Sequence, residues 1–275
     1  MGQFCIELFE TQTPITTTNF LNYINSDAYT NGIFHRSVPK FVIQGGGFKI
    51  VDGTTRKTLA PVNTFAPITN EFKISNTRGT VAMAKLSGNP NSATSQWFVN
   101  LADNSGPPGN LDTQNGGFTV FGHVIFDGMN VIDAIEALPP IKINLGGSQT
   151  PVPLIGFNGS EISTDNFVQI NQVVVTDTTG VFSESALTFA VDIGTGEALA
   201  VKLLLIGDKP AYVFELDPAS VTSLPSNPVN IATFSSGNGQ LHIPSVMINA
   251  STVVKNVKMQ LNDANSFQFT LLSYE

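Results

Sequence analysis

The run Phe34-His35-Arg36-Ser37-Val38-Pro39-Lys40-Phe41-Val42-Ile43-Gln44-Gly45-Gly46-Gly47-Phe48 limits the fold more than any other stretch of this 275-residue chain. It sets one arginine among apolar residues, then a strand-like run that stops at a block of glycines. Alternation predicts Phe41 and Ile43 on one face of a strand, with Val42 and Gln44 on the other. Arg36, Phe41, Val42 and Gln44 are close enough in sequence to line one small pocket. The glycines suit a turn or a close backbone approach. They do not read as a phosphate loop, because Phe48-Lys49 follows instead of a Lys-Ser/Thr pair opening a helix. His35 is tempting as a catalyst beside Arg36, but a lone histidine in an apolar stretch reads as a hydrogen-bonded core residue.

Further motifs follow in order: Gly79-Thr80-Val81-Ala82-Met83-Ala84, then Ser95-Gln96-Trp97-Phe98, then Leu111-Asp112 and Val120-Phe121-Gly122. With Phe34-His35-Arg36-x-x-Pro39-x-Phe41-x-x-Gln44-Gly45-Gly46 they resemble the signature of the cyclophilins, a family of peptidyl-prolyl cis/trans isomerases. The resemblance covers residues 1–178 and does not extend to the remainder. It implies a mainly β fold, an antiparallel β-barrel capped by two helices. The remainder, 181–275, reads as a small all-β domain with no constellation that suggests catalysis.

Prolyl isomerisation needs neither nucleophile nor metal. The X-Pro bond has only a small trans preference. Its barrier of about 18–20 kcal/mol allows on the order of 0.01–0.1 rotations per second. A catalyst must hold the twisted amide more tightly than either planar form. The resemblance assigns Phe41, Val42, Phe98 and Leu111 to an apolar pocket for the proline ring, with Phe118 at its rim. Arg36 would donate to the prolyl nitrogen, whose lone pair is freed only when resonance is lost. Gln44 would orient the substrate carbonyl or Arg36 itself. Backbone groups at Ala84 and Lys85 would pair with the extended peptide, with Gln96 alongside.

Three positions depart from the family's common pattern. Val42 stands for a methionine, Asn110 for a tryptophan and Phe118 for a histidine. Without the indole at 110, the resemblance implies weak cyclosporin binding with isomerase activity kept. The family also has one more strand ahead of the first strand here. The strand from Gln3 to Phe9 and the last barrel strand, Phe167 to Thr176, would then each lack a neighbour, so either docking of residues 181–275 near this open barrel edge or self-association through it is expected. A second reading stands beside catalysis: a cleft that only holds proline-containing segments, delivered to a surface or partner by the β-domain.

The rest of the chain narrows the class. Charged residues make up only 12%, about half the usual share, and the net charge is −8. Nucleic acid and anionic membranes are poor partners for such a surface. No apolar run is long enough to span a membrane as a helix. No leader pattern precedes the strand starting at Gln3. A single cysteine, Cys5, allows no internal disulfide, and the three histidines lack metal-ligand spacing, so neither a metal nor another cofactor is expected. Low charge with many Thr and Asn residues points to a bacterial envelope or secreted protein, the cytoplasm staying open.

Thr13-Pro14 signals a helix start, with Thr13 as N-cap and Phe20, Leu21 and Ile24 on the buried side. Residues 49–78 read as a polar connection. Val81 and Met83 share a strand face, as do Gln96, Phe98 and Asn100 on one side and Trp97, Val99 and Leu101 on the other. Residues 103–117 read as a loop. Asp127 caps a second helix with Val131, Ile132, Ile135 and Leu138 inward, ended by Pro139-Pro140. A long loop is expected from there to about residue 165. Asp177-Thr178-Thr179-Gly180 reads as a linker. In the β-domain, Val201-Lys202-Leu203-x-Leu205 recurs as Val257-Lys258-Met259-x-Leu261, and Tyr212-x-Phe214-x-Leu216 as Phe267-x-Phe269-x-Leu271. Alternating strands of one sheet also produce such a pattern.

Overall fold

The computed structural model describes residues 2–54, 56–125, 128–175, 179–194, 198–224, 231–249 and 252–275. The chain divides into two compact units, Met1–Val175 and Thr176–Glu275.

The first unit opens with β1 (Cys5–Leu8), α1 (Pro14–Asn25), β2 (Gly32–Ile33), β3 (Arg36–Val38), β4 (Val42–Gly45), β5 (Phe48–Asp52) and β6 (Lys57–Pro61). It continues with β7 (Thr80–Met83), β8 (Trp97–Asn100), β9 (Val120–Ile125), α2 (Gly128–Glu136), β10 (Pro140–Leu145), β11 (Ser148–Pro153) and β12 (Gln169–Ile170). One sheet has the order β1-β9-β7-β8-β4-β3, a second β12-β2-β5-β6, and β10-β11 form a hairpin. The backbone runs from β2 into β3 and from β4 into β5, which joins the two larger sheets around one core. This is the antiparallel barrel with two helices that the resemblance implies. Trp97 sits at its centre, edge-on to Phe20 at 6.1 Å, Phe34 at 5.7 Å and Tyr29 at 6.4 Å between ring centroids. Helix α1 adds Phe20 and Tyr23 to this core, and α2 adds Ile132 and Ile135, with Val131 and Leu138 against them.

Helix α1 begins at Pro14 with Thr13 at the N-cap position, but the Thr13 hydroxyl does not cap it. That hydroxyl donates to Phe9 O at 3.1 Å. The unpaired N–H groups of the first turn need acceptors. Those of Ile15 and Thr16 go to the Glu71 carboxylate, at 3.3 and 2.8 Å. A residue far along the chain therefore supplies the cap.

Three expectations for this unit need correction, and others lie outside the described residues. Residues 49–78 are not all connection, since β5 and β6 pair from Phe48↔Pro61 to Asp52↔Lys57. The expected long loop after Pro139 contains the hairpin β10–β11, turned by Gly146 and Gly147 at φ +59 and +87. Ile141, Ile143 and Leu145 lie on its inner side with Ile33, Ile50 and Phe167. The last strand is shorter than Phe167 to Thr176: Gln169–Ile170 pair with β2 and Phe167 forms an isolated bridge with Leu154, while Thr176 lies outside the described residues. Helix α2 starts at Gly128, and the cap expected at Asp127 also lies outside the described residues, as do Asp177 and Thr178 of the linker. Among the described residues β1 pairs only with β9, and β12 only with β2.

The second unit comprises β13 (Gly180–Ser183), β14 (Ala186–Asp192), β15 (Ala198–Gly207), β16 (Val213–Leu216), β17 (Thr222–Ser223), β18 (Ala232–Ser235), β19 (Gln240–Ile248), β20 (Thr252–Asp263) and β21 (Gln268–Ser273). Pairings of β14 with β15 and of β13 with β19 close the sheet into a ring. Its interior is filled by side chains such as Phe189, Leu203, Ile243 and Met259. The two sequence-similar segments occupy equivalent strands. β13-β14-β15-β16 and β18-β19-β20-β21 pair internally in the same antiparallel order. β13 lies parallel to β19 as β18 lies parallel to β14. β16 and β21 join the halves, with Phe214 opposite Phe269. Apart from β17, which pairs with β15, the pairing scheme thus maps onto itself when the halves are exchanged.

Candidate active site

The site is assembled on the outward face of β4 and β8, the face opposite Trp97. Ile43, Trp97 and Val99 point into the barrel core. Val42 and Phe98 therefore point the other way, and they join Phe9, Ala82, Leu111 and Val120 in a separate buried cluster. Phe41, Ala84 and Phe118 pack against it with part of their surface exposed. The pocket residues expected from sequence, Phe41, Val42, Phe98, Leu111 and Phe118, thus meet in one cluster. Phe98 and Phe118 meet edge to face at 5.8 Å.

Phe41 reaches this cluster by a route that alternation did not predict. It lies just before β4, where Phe41 N–H closes a turn on Val38 O at 3.0 Å and Lys40 takes φ +61. The turn releases Phe41 from the pleat, so its ring packs on the side of Val42 instead of that of Ile43.

Beside the apolar cluster runs a polar row. The β3–β4 register sets Arg36 opposite Gln44, and the β4–β8 register sets Gln44 opposite Phe98. Arg36 Nη1 donates to Gln44 Oε1 at 3.3 Å, and Gln44 Nε2 donates to Gln96 Oε1 at 2.7 Å. The Arg36 guanidinium carbon stands 6.0 Å from the Phe41 ring centroid. Burial lowers the Arg36 pKa from its ordinary value, yet a guanidinium keeps its charge in a protein. Among the described residues its guanidinium gives a hydrogen bond to Gln44 and keeps its other donors available, so the row presents a fixed cation at the edge of an apolar pocket.

The glycine block shapes the floor of this row. Gly46 has φ +78, and a Cβ there would stand 2.3 Å from Ser95 O. His35 is buried behind Gly47, and burial drives its pKa down to about 4, partly offset by a hydrogen bond with Gln96. A neutral imidazole packed under Gln96 is the core residue that the sequence suggested.

Ala84 and Lys85, expected to offer backbone groups to a peptide, have partners within the chain. Ala84 N–H is taken by Gln96 O at 2.9 Å, so it is not free for a peptide. Lys85 acts through its side chain: Nζ donates to Asn115 O at 2.9 Å and Gly117 O at 2.6 Å, and lies 4.8 Å from the Phe118 ring centroid. It ties the 114–117 turn and the rim phenyl to the strand that ends at Met83. Gly117 has φ +75, and a Cβ there would fall 2.3 Å from the Phe72 ring. No group of three or more His, Cys, Asp or Glu side chains able to hold a metal occurs among the described residues.

The family model of the cyclophilin type peptidyl-prolyl cis-trans isomerases matches residues 1–153, over half of the chain. The chain belongs to the cyclophilins. A peptidyl-prolyl cis-trans isomerase of Acinetobacter baylyi is 42% identical over 168 residues, which are 60% of this chain and 84% of that protein. Peptidyl-prolyl cis-trans isomerase B of Escherichia coli is 41% identical over 140 residues, 50% of this chain and 80% of that protein. A crystal structure of a Cryptosporidium parvum cyclophilin type isomerase, solved in the presence of the dipeptide Ala-Pro, covers 64% of this chain and 94% of its own, at 25% identity and a TM-score of 0.45. This cyclophilin is a peptidyl-prolyl cis-trans isomerase, and the reading of its cleft as a passive holder of proline segments is not favoured.

The sequence missed the side-chain role of Lys85 and the polar groups behind the pocket. An alternation of Asn100 with Phe98 was visible, but nothing in the local sequence shows that Asn76, Asn100 and Asn104 touch.

Proposed function

We propose that this cyclophilin accelerates X-Pro rotation in extended or unfolded polypeptide, with the proline ring in the pocket of Phe41, Val42, Phe98, Leu111 and Phe118. The row Arg36–Gln44–Gln96 beside that pocket carries the reading. In a planar amide the prolyl nitrogen's lone pair is delocalised into the carbonyl. As the bond twists, the nitrogen pyramidalises and becomes an acceptor. A guanidinium held at the pocket edge then gains a hydrogen bond that neither planar ground state offers, which is differential binding of the transition state. Gln44 holds Arg36 in place, and Gln96 holds Gln44. The apolar wall also disfavours the charge-separated planar amide relative to the twisted one. In the test, a protein whose refolding is limited by a proline isomerisation is refolded with catalytic amounts of this chain. Acceleration of the slow phase supports the reading, and an unchanged slow phase with a bound peptide by titration contradicts it.

The indole missing at Asn110 is expected to leave cyclosporin binding weak. The edges of β1 and β12 carry backbone groups that seek partners. We therefore propose self-association through them, to be read as a concentration-dependent mass by sedimentation. A monomer at all concentrations contradicts it. A bacterial envelope or secreted location follows from the low charge content, and cell fractionation tests it.

A further inference from the structure

Behind the proline pocket lies a continuous chain of buried amides. Asn104 is 3% exposed, and its Nδ2 donates to Phe41 O at 2.8 Å and to Asn100 Oδ1 at 2.8 Å. Asn100 is fully buried, and its Nδ2 donates to Thr80 Oγ1 at 2.8 Å and Asn76 Oδ1 at 3.2 Å. Asn76, also fully buried, donates from Nδ2 to Phe118 O at 3.0 Å and to Asp112 Oδ1 at 3.0 Å. The backbone closes the circuit. Asn104 N–H donates to Asn76 O at 2.9 Å, Leu111 N–H to Asn104 O at 2.8 Å and Phe118 N–H to Leu111 O at 2.8 Å.

Phe41 comes from the β3–β4 turn and Leu111 and Phe118 from the long connection between β8 and β9, and none is in a strand of the barrel. No sheet ladder sets their mutual spacing. Each is bonded directly to this amide chain instead, and Phe41 O receives both Asn104 Nδ2 and Leu101 N–H. A buried amide oxygen left without its donor costs free energy and moves to find another. Loss of the Asn104 side chain would leave buried Asn100 Oδ1 without this donor and Phe41 O with Leu101 N–H alone, and would therefore shift Phe41 relative to Leu111.

We propose that Asn104 is a positioning residue for the isomerase: through Asn100 and Asn76 it sets the spacing of the pocket walls Phe41, Leu111 and Phe118 and so the grip on the proline ring. The inference rests on the pocket reading given above. Among the described residues Arg36 hydrogen-bonds to Gln44 and not to the amide chain, meeting it only at the Phe41 ring 6.0 Å away, so grip and transition-state stabilisation largely separate. Asn104→Ala in the full chain is expected to raise KM for an X-Pro peptide about tenfold and to leave kcat within about twofold. Asn104→Ser, which keeps a donor at shorter reach, is expected to fall between, and it carries the test if Asn104→Ala does not fold. Ile132→Val in α2 supplies a control of lowered stability away from the pocket, with KM unchanged. Asn104→Ala combined with Phe41→Ala should raise KM by less than the product of the single effects, because both act on one wall. Unchanged KM in the Asn104 variants, a loss confined to kcat, or multiplicative effects in the double variant would overturn the proposal. An inactive wild type would instead defeat the pocket reading itself.

Discussion

Replacing Arg36 with alanine separates chemistry from fold. Arg36 is half-buried, and its one side-chain hydrogen bond among the described residues, to Gln44 Oε1, is long at 3.3 Å. Gln44 keeps its shorter bond to Gln96 at 2.7 Å. The cost to stability is therefore about 1 kcal/mol or less, a shift of roughly 2–4 °C in Tm for a domain of this size. The cost to catalysis is larger, because the bond to the pyramidal nitrogen exists only in the transition state. A hydrogen bond from a charged donor contributes roughly 1.5–3 kcal/mol, which at 1.36 kcal/mol per decade is about 10- to 150-fold in kcat/KM. Arg36→Lys is expected within about threefold of Arg36→Ala, since an ammonium cannot replace the planar fork. The assay is line-shape or exchange NMR on a short X-Pro peptide, with circular dichroism and Tm on the same samples. Wild-type kcat/KM in Arg36→Ala, with an unchanged spectrum, would refute the assignment.

Desolvation lowers the Lys85 amine to about 8, so above that pH it loses the charge that holds Asn115 O, Gly117 O and the Phe118 ring. Substrate affinity should fall as pH rises through 8 in the wild type and stay level in Lys85→Arg. Stability moves the other way: between about 8 and the ordinary lysine value the unfolded chain binds more protons, so the contribution of Lys85 rises with pH. An affinity profile identical in both proteins would contradict the clamp. Asn110→Trp is expected to strengthen cyclosporin binding by on the order of 1–2 kcal/mol. Because residue 110 has φ +53, it should also cost about 1–2 kcal/mol of stability. Tight cyclosporin binding by the wild type would show that residue 110 does not stand where the indole stands in relatives.

Periodicity exposed what repeats within a few residues. Trp97 and Val99 against Phe98, and Val81 and Met83 against Ala82, divide between core and cleft as alternation demands. Features set by distant residues or single torsions stayed hidden. Phe41 changes side because one residue, Lys40, adopts a left-handed turn. Glu71 caps a helix more than fifty residues away, which no window on α1 contains. The β10–β11 hairpin was masked by its prolines and glycines, although Ile141, Ile143 and Leu145 alternate around a Gly-Gly turn as a hairpin strand should. Charged residues in 49–57 hid β5 and β6 in the same way. At the site, residue types were legible but their partners were not. Lys85 looked like a backbone contact, and the three asparagines behind the pocket looked like unrelated loop residues.

The central claim is that a fixed guanidinium beside an apolar pocket speeds rotation about the X-Pro bond without nucleophile or metal. Exchange NMR on an Ala-Pro peptide measures this directly, with the full chain at catalytic concentration and a chelator present. The account predicts cis/trans exchange far above the uncatalysed rate of on the order of 0.01–0.1 per second, unaffected by chelation and lost in Arg36→Ala. Exchange at the uncatalysed rate, with the peptide bound in the pocket, would contradict it.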